Sequence, residues 1–136
     1  MGQSIEGDNV RKAINMFFEA MDRQDMELLE DALGQDEQVV HIGTDAGERW
    51  NGWKELKEDT YRQFEDMTSF KVEVRNQRIQ LGPNCKVAWF AQEQDMRIGK
   101  PNGDIIRLDD ARFTGVLEKR DGRWKMVQSH LSVPDS

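Results

Sequence analysis

The chain has 136 residues, of which 37% are hydrophobic and four are tryptophans, so it can bury one hydrophobic core but is too short for two. Its net charge is -7, from 19 Lys and Arg against 26 Asp and Glu, which disfavours a nucleic-acid partner or an anionic membrane surface. No apolar run approaches the roughly 20 residues that a membrane-spanning helix needs.

Three helices are predicted in the first half of the chain. Apolar residues recur at helical spacing from Asp8 to Met21 and would form one buried stripe. Asp25 can cap a second, shorter helix, and Gly34 suits the left-handed turn that often ends a helix. A third amphipathic helix is expected to begin at Asn51 or Gly52.

Five strands are predicted, one before the third helix and four after it. The apolar period changes from helical to alternating after Met67. The strands are expected at residues 38–43, 70–81, 87–91, 105–119 and 124–133. Strands of a dozen residues would span about 40 Å, too long to stay flat in a small domain. We therefore expect an α+β fold in which residues 1–136 form a single domain, with helices packed inside a curled antiparallel sheet around a pocket.

Local sequence features predict a bulge and two hairpin turns in this sheet. The alternation changes phase between Val74 and Ile79, which indicates a β-bulge. Asn-Gly and Asp-Gly pairs at 102–103 and 121–122 indicate tight hairpin turns.

One strand is apolar on both faces. Every residue from Val87 to Ala91 is apolar, so both of its faces are expected to be covered. We assign Ala88 and Phe90 to the outer face, where a second copy of the chain would cover them. A homodimer formed through the convex face of the sheet is therefore predicted.

The cysteine content and the N-terminus predict a location. The single cysteine, Cys85, excludes an internal disulfide and is typical of a reducing compartment. The first residues have neither the basic start nor the apolar segment of a signal peptide. A cytoplasmic protein is expected.

Three segments together carry a family resemblance. They are FFEAMDRQDMELLEDAL at residues 17–33, HIGTDAGERWNGW at 41–53 and EKRDGRWKMVQSHLSVP at 118–134. In their order and spacing the chain resembles the nuclear transport factor 2-like superfamily, in its SnoaL-like branch, and is similar also to the association domain of calcium/calmodulin-dependent kinase. The resemblance implies a cone-shaped α+β barrel, usually dimeric, with a pocket at its wide end. The fold alone does not imply a chemistry.

The two histidines are the first catalytic candidates. The resemblance places the strands of His41 and His130 side by side, and histidine is the usual general acid or base near neutral pH. His130 shares its parity with Trp124, which predicts that it points into the pocket, although a bulge near Ser129 would reverse this. The alternative is that each ring fixes packing through a backbone carbonyl.

Asp109 is the third catalytic candidate. It shares the inward parity of Ala111 and Phe113, and a carboxyl group in an apolar cavity can act as a neutral acid. DDARF resembles the ketosteroid isomerase strand that carries the oxyanion-hole aspartate, at the position of Asp109. Phe17 stands where those enzymes have a tyrosine, and no carboxylate replaces their base. The alternative for Asp109 is an ion pair with a neighbouring arginine.

Aromatic side chains are the candidates for ligand contacts. We expect the walls or mouth of the pocket to include Phe17, Trp50, Trp53, Tyr61, Trp89 and Phe113. No cofactor is expected, because the glycines of residues 43–52 follow no nucleotide-binding spacing. No metal is expected either, because the two histidines lack a ligand spacing such as His-x3-His.

The predicted function is the binding of a small molecule, with acid/base catalysis of isomerase, cyclase or dehydratase type as its enzymatic form. In that form His41 or His130 would be the base and Asp109 the acid, acting on a compact apolar or aromatic substrate. The alternative is a non-enzymatic dimerisation, assembly or binding module of the same fold.

Overall fold

Three helices and one six-stranded sheet make up the part of the chain that the computed structural model describes, residues 2–135, with side chains from Ile5 onward. The helices are α1 (Gly2–Arg23), α2 (Met26–Ala32) and α3 (Trp53–Glu65). The strands are β1 (Val40–Ile42), β2 (Arg49–Asn51), β3 (Ser69–Leu81), β4 (Val87–Gly99), β5 (Ile105–Arg120) and β6 (Arg123–Ser132). The predicted α+β class is confirmed, and β2 is an additional strand, too short to show a pattern.

The strands lie in the order β2-β1-β6-β5-β4-β3, and the sheet is not closed. β1 runs parallel to β6, and every other neighbouring pair is antiparallel. The predicted meander of four long strands is therefore confirmed. The parallel pairing brings β1, which precedes α3, beside the last strand of the chain.

Local sequence features account for the starts of α2 and α3 but not for the end of α2. The Asp25 carboxylate caps α2 by accepting a hydrogen bond from the Leu28 N–H at 3.1 Å, as predicted. Gly52 precedes α3 with a φ of 92°, a conformation that favours glycine. The left-handed turn expected at Gly34 is wrong, because α2 ends at Leu33 in an extended conformation. A larger residue would be crowded at position 34, because a Cβ on Gly34 would lie 3.0 Å from the Val127 side chain.

Three β-bulges interrupt the long strands. The register shifts between Arg75 and Arg78 in β3, as the sequence predicts. Two further shifts occur opposite Asp95 in the β4–β5 pair and at Val127 in the β5–β6 pair. Because side chains alternate between the two faces of a strand, each bulge exchanges the faces of the residues that follow it.

The hairpin turns match their sequence signals. Asp121 and Gly122 have φ values of 52° and 78°, the left-handed pair that a tight two-residue hairpin turn needs. Gly103 has a φ of 93° in the turn between β4 and β5. Both predicted hairpins are confirmed, although residues 100–104 form a five-residue loop and not a two-residue turn.

The core lies between the helices and the inner face of the sheet. Its most deeply buried side chains include Ile14 of α1, Leu29 of α2, Leu33 just after α2, Leu117 of β5 and Met126 of β6. No helix within residues 2–135 is long and apolar enough to cross a membrane.

The face assignment of β4 is wrong. Ala88 and Phe90 are buried and point toward the helices, because they share the inner face with the buried Met96. The outward residues are Val87 and Trp89, whose exposed fractions are 38% and 48%.

Candidate functional site

A cavity of about 170 Å³ opens between α1, α3, β1 and the inner face of the sheet. Most of the side chains that line it are apolar. The polar side chains that line it are those of His41, Thr44, Glu48, Thr60, Gln63, Gln94 and Ser129. Among the described residues, no lysine or arginine contributes to the lining, so Glu48 is the charged side chain at this site.

One wall of the cavity is aromatic. Phe17 of α1 stacks on Phe113 of β5 with 6.1 Å between the ring centroids and 14° between the ring planes. Phe18 and Phe90 pack on the same Phe113 ring at 5.8 and 5.4 Å. Phe17 and Phe113 thus both line the cavity.

His41 supplies a buried polar group. Its side chain is 5% exposed, and its Nδ1 lies 2.6 Å from the Ser129 hydroxyl oxygen, because β1 and β6 pair His41 with Ser129. The Nε2 atom is buried and has no hydrogen-bond partner among the described residues. Burial lowers the pKa of His41 from 6.5 to about 4, so the ring is neutral at pH 7.

His41 has two neutral tautomers in this contact. If the Ser129 hydroxyl donates to Nδ1, the Nε2 atom carries the proton and is a donor. If Ser129 accepts from Nδ1–H, the Nε2 atom is an acceptor and can take a proton from a ligand. In either state the Nε2 atom, buried beside a largely apolar cavity, lacks a hydrogen-bond partner among the described residues.

His130 does not lie at the cavity, and that expectation is wrong. Trp124 and Met126 point inward, but the bulge at Val127 exchanges the faces, so Ser129 is buried and His130 is exposed. The two histidines therefore do not share a site.

Asp109 also lies outside the cavity. Asp109 and Asp110 together face Asp95 across a bulge, in which Asp110 has a φ of 56°. Both carboxylates are exposed, and Leu108 lines the cavity instead. Asp110 accepts a hydrogen bond from Arg75 at 2.6 Å. The inward assignment of Asp109 from the parity of Phe113 is therefore wrong.

The remaining aromatic candidates separate into two groups. Trp50 lines the cavity, and its indole Nε1 donates to the Asp59 carboxylate at 3.0 Å, which holds the ring against α3. Trp53 packs on the hydrophobic core but does not line the cavity. Tyr61 and Trp89 are 49% and 48% exposed and neither lines the cavity, so their predicted place in its walls or mouth is wrong.

Comparison with known proteins identifies the family. The model of the SnoaL-like domain matches residues 10–136 of the chain. The chain belongs to the SnoaL-like domain family. No curated protein matches it significantly.

Solved structures show the same fold at low sequence identity. A nuclear transport factor 2-like superfamily protein from Salmonella enterica has a TM-score of 0.85 and 16% identity, covering 98% of this chain and 94% of its own. A candidate dehydratase of this superfamily from Streptomyces avermitilis has a TM-score of 0.86 and 16% identity, covering 98% and 99%. A candidate calcium/calmodulin-dependent protein kinase II association domain from Xanthomonas campestris has a TM-score of 0.76 and 19% identity, covering 90% and 84%. The resemblance in the sequence is thus confirmed at the level of the fold.

Gln94 and Ser129 are among the polar cavity residues that the sequence analysis did not propose as site residues. Gln94 is 1% exposed at the cavity, and Ser129 orients His41. Gln94 shares the face of Phe90 along β4, but the sequence analysis assigned that face to the outside, so the parity would have placed Gln94 outside as well. The face of Ser129 could not be found from the sequence, because the bulge at Val127 determines it.

The acidic and histidine side chains of the SnoaL-like domain are dispersed. Among the side chains that the structure describes, no three His, Cys, Asp or Glu groups lie close enough to hold a metal ion. The side chains with polar or charged groups at the cavity include His41, Glu48 and the hydroxyl and amide residues.

Proposed function

We propose that this chain, as a single SnoaL-like domain, binds a compact, largely apolar or aromatic small molecule in the cavity beside Phe17 and Phe113. The observation that carries the proposal is the buried, unpaired Nε2 atom of His41. A buried polar atom without a partner costs about 1–3 kcal/mol. A ligand that forms a hydrogen bond with Nε2 while its apolar part covers the aromatic wall would recover this free energy.

The volume of the cavity limits the ligand. An apolar cavity of about 150 Å³ in another protein is known to hold benzene, whereas pockets for drug-sized ligands measure roughly 300–1,000 Å³. At about 170 Å³ the cavity suits a molecule near the size of a substituted benzene.

An enzymatic role of isomerase, cyclase or dehydratase type would depend on His41. Asp109 and His130, the other predicted catalytic groups, are exposed elsewhere on the sheet. A neutral imidazole can accept a proton at pH 7, but a pKa of about 4 makes it a weak base. Ligand binding is therefore the better supported function.

A thermal-shift screen of small neutral aromatic compounds tests the proposal. A ligand at a hundredfold excess over its Kd stabilises the folded state by about 2.7 kcal/mol, which raises the Tm measurably. Leu131→Phe would fill part of the cavity, whereas Val133→Phe adds the same ring at an exposed position of the same segment. Hits should lose their effect in Leu131→Phe and keep it in Val133→Phe. The absence of hits, or equal shifts in all three proteins, would contradict the proposal.

An exposed apolar patch favours a second function, self-association. We define the outer patch as Val87, Trp89, Ala91 and Val116, which lie together on β4 and β5 away from the helices. A tryptophan that is 48% exposed beside other apolar groups is typical of an interaction surface. We propose that the homodimer forms through the outer patch and not through Ala88 and Phe90. Light scattering should give a dimer for the wild type and for the exposed control Lys54→Glu, and a monomer for Trp89→Glu. A wild-type monomer at micromolar concentration would contradict it.

A further inference from the structure

A continuous chain of hydrogen bonds leads from the surface of α1 to the cavity. Arg11 Nε donates to Gln77 Oε1 at 2.9 Å, and Gln77 Nε2 donates to Gln92 Oε1 at 2.9 Å. Gln92 Nε2 in turn donates to Gln94 Oε1 at 2.7 Å. We name these four residues the amide relay. It begins at an exposed arginine and ends at a cavity side chain that is 1% exposed.

The bulge in β3 makes the amide relay possible. The register shift between Arg75 and Arg78 places Gln77 within reach of Gln92 on the neighbouring strand. Gln92 and Gln94 are two residues apart on β4, so their side chains share its inner face. Both are buried, and buried amides are stable only where their polar atoms are paired.

The charge at the surface sets the direction of every amide. An arginine side chain has donors and no acceptor, so the Gln77 oxygen must face Arg11 and its nitrogen must face Gln92. In the same way the Gln92 oxygen accepts from Gln77, so the Gln92 nitrogen donates to the Gln94 oxygen. Asp8 holds the guanidinium in place through Nη1 at 2.6 Å.

The end of the amide relay therefore offers a donor to the cavity. The oxygen of Gln94 is occupied by Gln92, and its Nε2 donates to no residue within the described side chains. A ligand in the cavity would meet an N–H group at this point, in addition to the Nε2 atom of His41.

We propose that Gln94 is a specificity-determining hydrogen-bond donor that selects neutral ligands with a carbonyl-type oxygen, and that Arg11 sets this polarity from the surface. The inference rests on the proposed binding function. A carboxylate ligand is disfavoured, because no lysine or arginine among the described residues lines the cavity and Glu48 would repel it. The ligand class is thus a compact, uncharged carbonyl compound with an apolar or aromatic body.

A matched pair of probes isolates the contribution of the donor. Acetophenone carries a carbonyl oxygen where α-methylstyrene, of nearly the same shape, has a methylene group. The two probes differ in their free energy of transfer from water, and this difference is the same for every protein variant. The quantity to compare is therefore the ratio of the two Kd values in one variant against the same ratio in another. Gln94→Met keeps the length of the side chain and removes the donor. We define the preference ratio as the Kd of α-methylstyrene divided by the Kd of acetophenone. Calorimetric titration should show that this ratio is about three- to tenfold lower in Gln94→Met than in the wild type, which is the range for one neutral hydrogen bond.

Surface variants test the polarity of the amide relay without altering the cavity. In Arg11→Glu an ionised carboxylate can only accept, so the amides should reverse and present the Gln94 oxygen to the ligand. We expect the ratio to move about twofold or more toward α-methylstyrene, a modest change because the contact is exposed. Arg11→Lys retains a donor and should keep most of the wild-type ratio. Lys12→Glu reverses an exposed charge on the same helix outside the relay and should leave the ratio unchanged.

Each outcome supports or overturns a specific step. If neither probe nor any other neutral aromatic compound binds the wild type, the proposed function and this inference both fail. If the probes bind but the ratio is the same in Gln94→Met, the binding function stands and the donor role is overturned. If Gln94→Met destabilises the fold, Arg11→Glu decides: an unchanged ratio, or an equal change in Lys12→Glu, overturns the polarity.

Discussion

The buried imidazole of His41 should make the stability of the protein fall as the pH is lowered through the range 6.5 to 4. In the folded state burial holds the pKa of His41 at about 4, whereas in the unfolded chain the ring has its ordinary pKa of 6.5. Below pH 6.5 the unfolded state therefore binds a proton that the folded state does not. Stability is fully present above pH 6.5 and is lost as the pH falls toward 4.

The size of the effect follows from the two pKa values. Their difference corresponds to about 3 kcal/mol in the limit of low pH, at about 1.36 kcal/mol for each pKa unit. By the same linkage, about 2 kcal/mol of this is already lost at pH 5. That loss is a large fraction of the roughly 5–15 kcal/mol by which a domain is stable.

Urea unfolding, followed by tryptophan fluorescence at pH 7.5, 6.5, 5.5 and 5.0, measures this loss. Carboxylates also titrate toward the acid end of this range, so the informative quantity is the difference between the wild type and His41→Gln. The free energy of unfolding of His41→Gln should fall less between pH 7.5 and 5.0, by about 2 kcal/mol. Equal losses in the two proteins, or an NMR titration of His41 with a pKa near 6.5, would refute the reasoning.

Three further substitutions test the framework around the site, each by the free energy of unfolding in urea. Asp25→Ala removes the cap of α2 and should cost about 1 kcal/mol, within a range of 0.5–2, and no loss would contradict the capping role. Met126→Ala opens a cavity in the core and should cost about 2–5 kcal/mol, so a cost under 1 would indicate that the site collapses. Gly115→Ala places a Cβ 2.6 Å from the Gln128 carbonyl oxygen and 2.8 Å from the Phe90 ring, and should cost about 1–3 kcal/mol. A neutral Gly115→Ala would show that the strands can move apart there.

The architecture could be predicted because its signals are local. The apolar period distinguished the helices from the strands, and Asp25 marked the start of α2. The Asp121-Gly122 pair marked a hairpin because few other dipeptides tolerate two positive φ values. β2 has three residues, which is too few for a period of two to be recognised.

The faces of β5 and β6 could be predicted only up to the nearest bulge. Parity counted from Phe113 placed Asp109 inside, and parity counted from Trp124 placed His130 inside. Each count crossed a bulge, opposite Asp95 in one case and at Val127 in the other. A bulge depends on which residues pair across two strands, so it is not a property of one strand's sequence.

The burial of Gln92 and Gln94 in the amide relay likewise could not be predicted from the sequence of one strand. Gln92 and Gln94 look like surface residues in a strand that also contains Glu93 and Asp95, and burial of an amide is acceptable only when partners are present. Gln92 finds its partner in Gln77, which a bulge brings into reach, and Gln77 in turn accepts from Arg11, on a helix 66 residues before Gln77 in the chain. The direction of the amides, and with it the proposed ligand selectivity, is therefore a property of the assembled fold. Substituting Arg11 is the sharpest way to examine it, because the side chain lies on the surface and can be changed without disturbing the core.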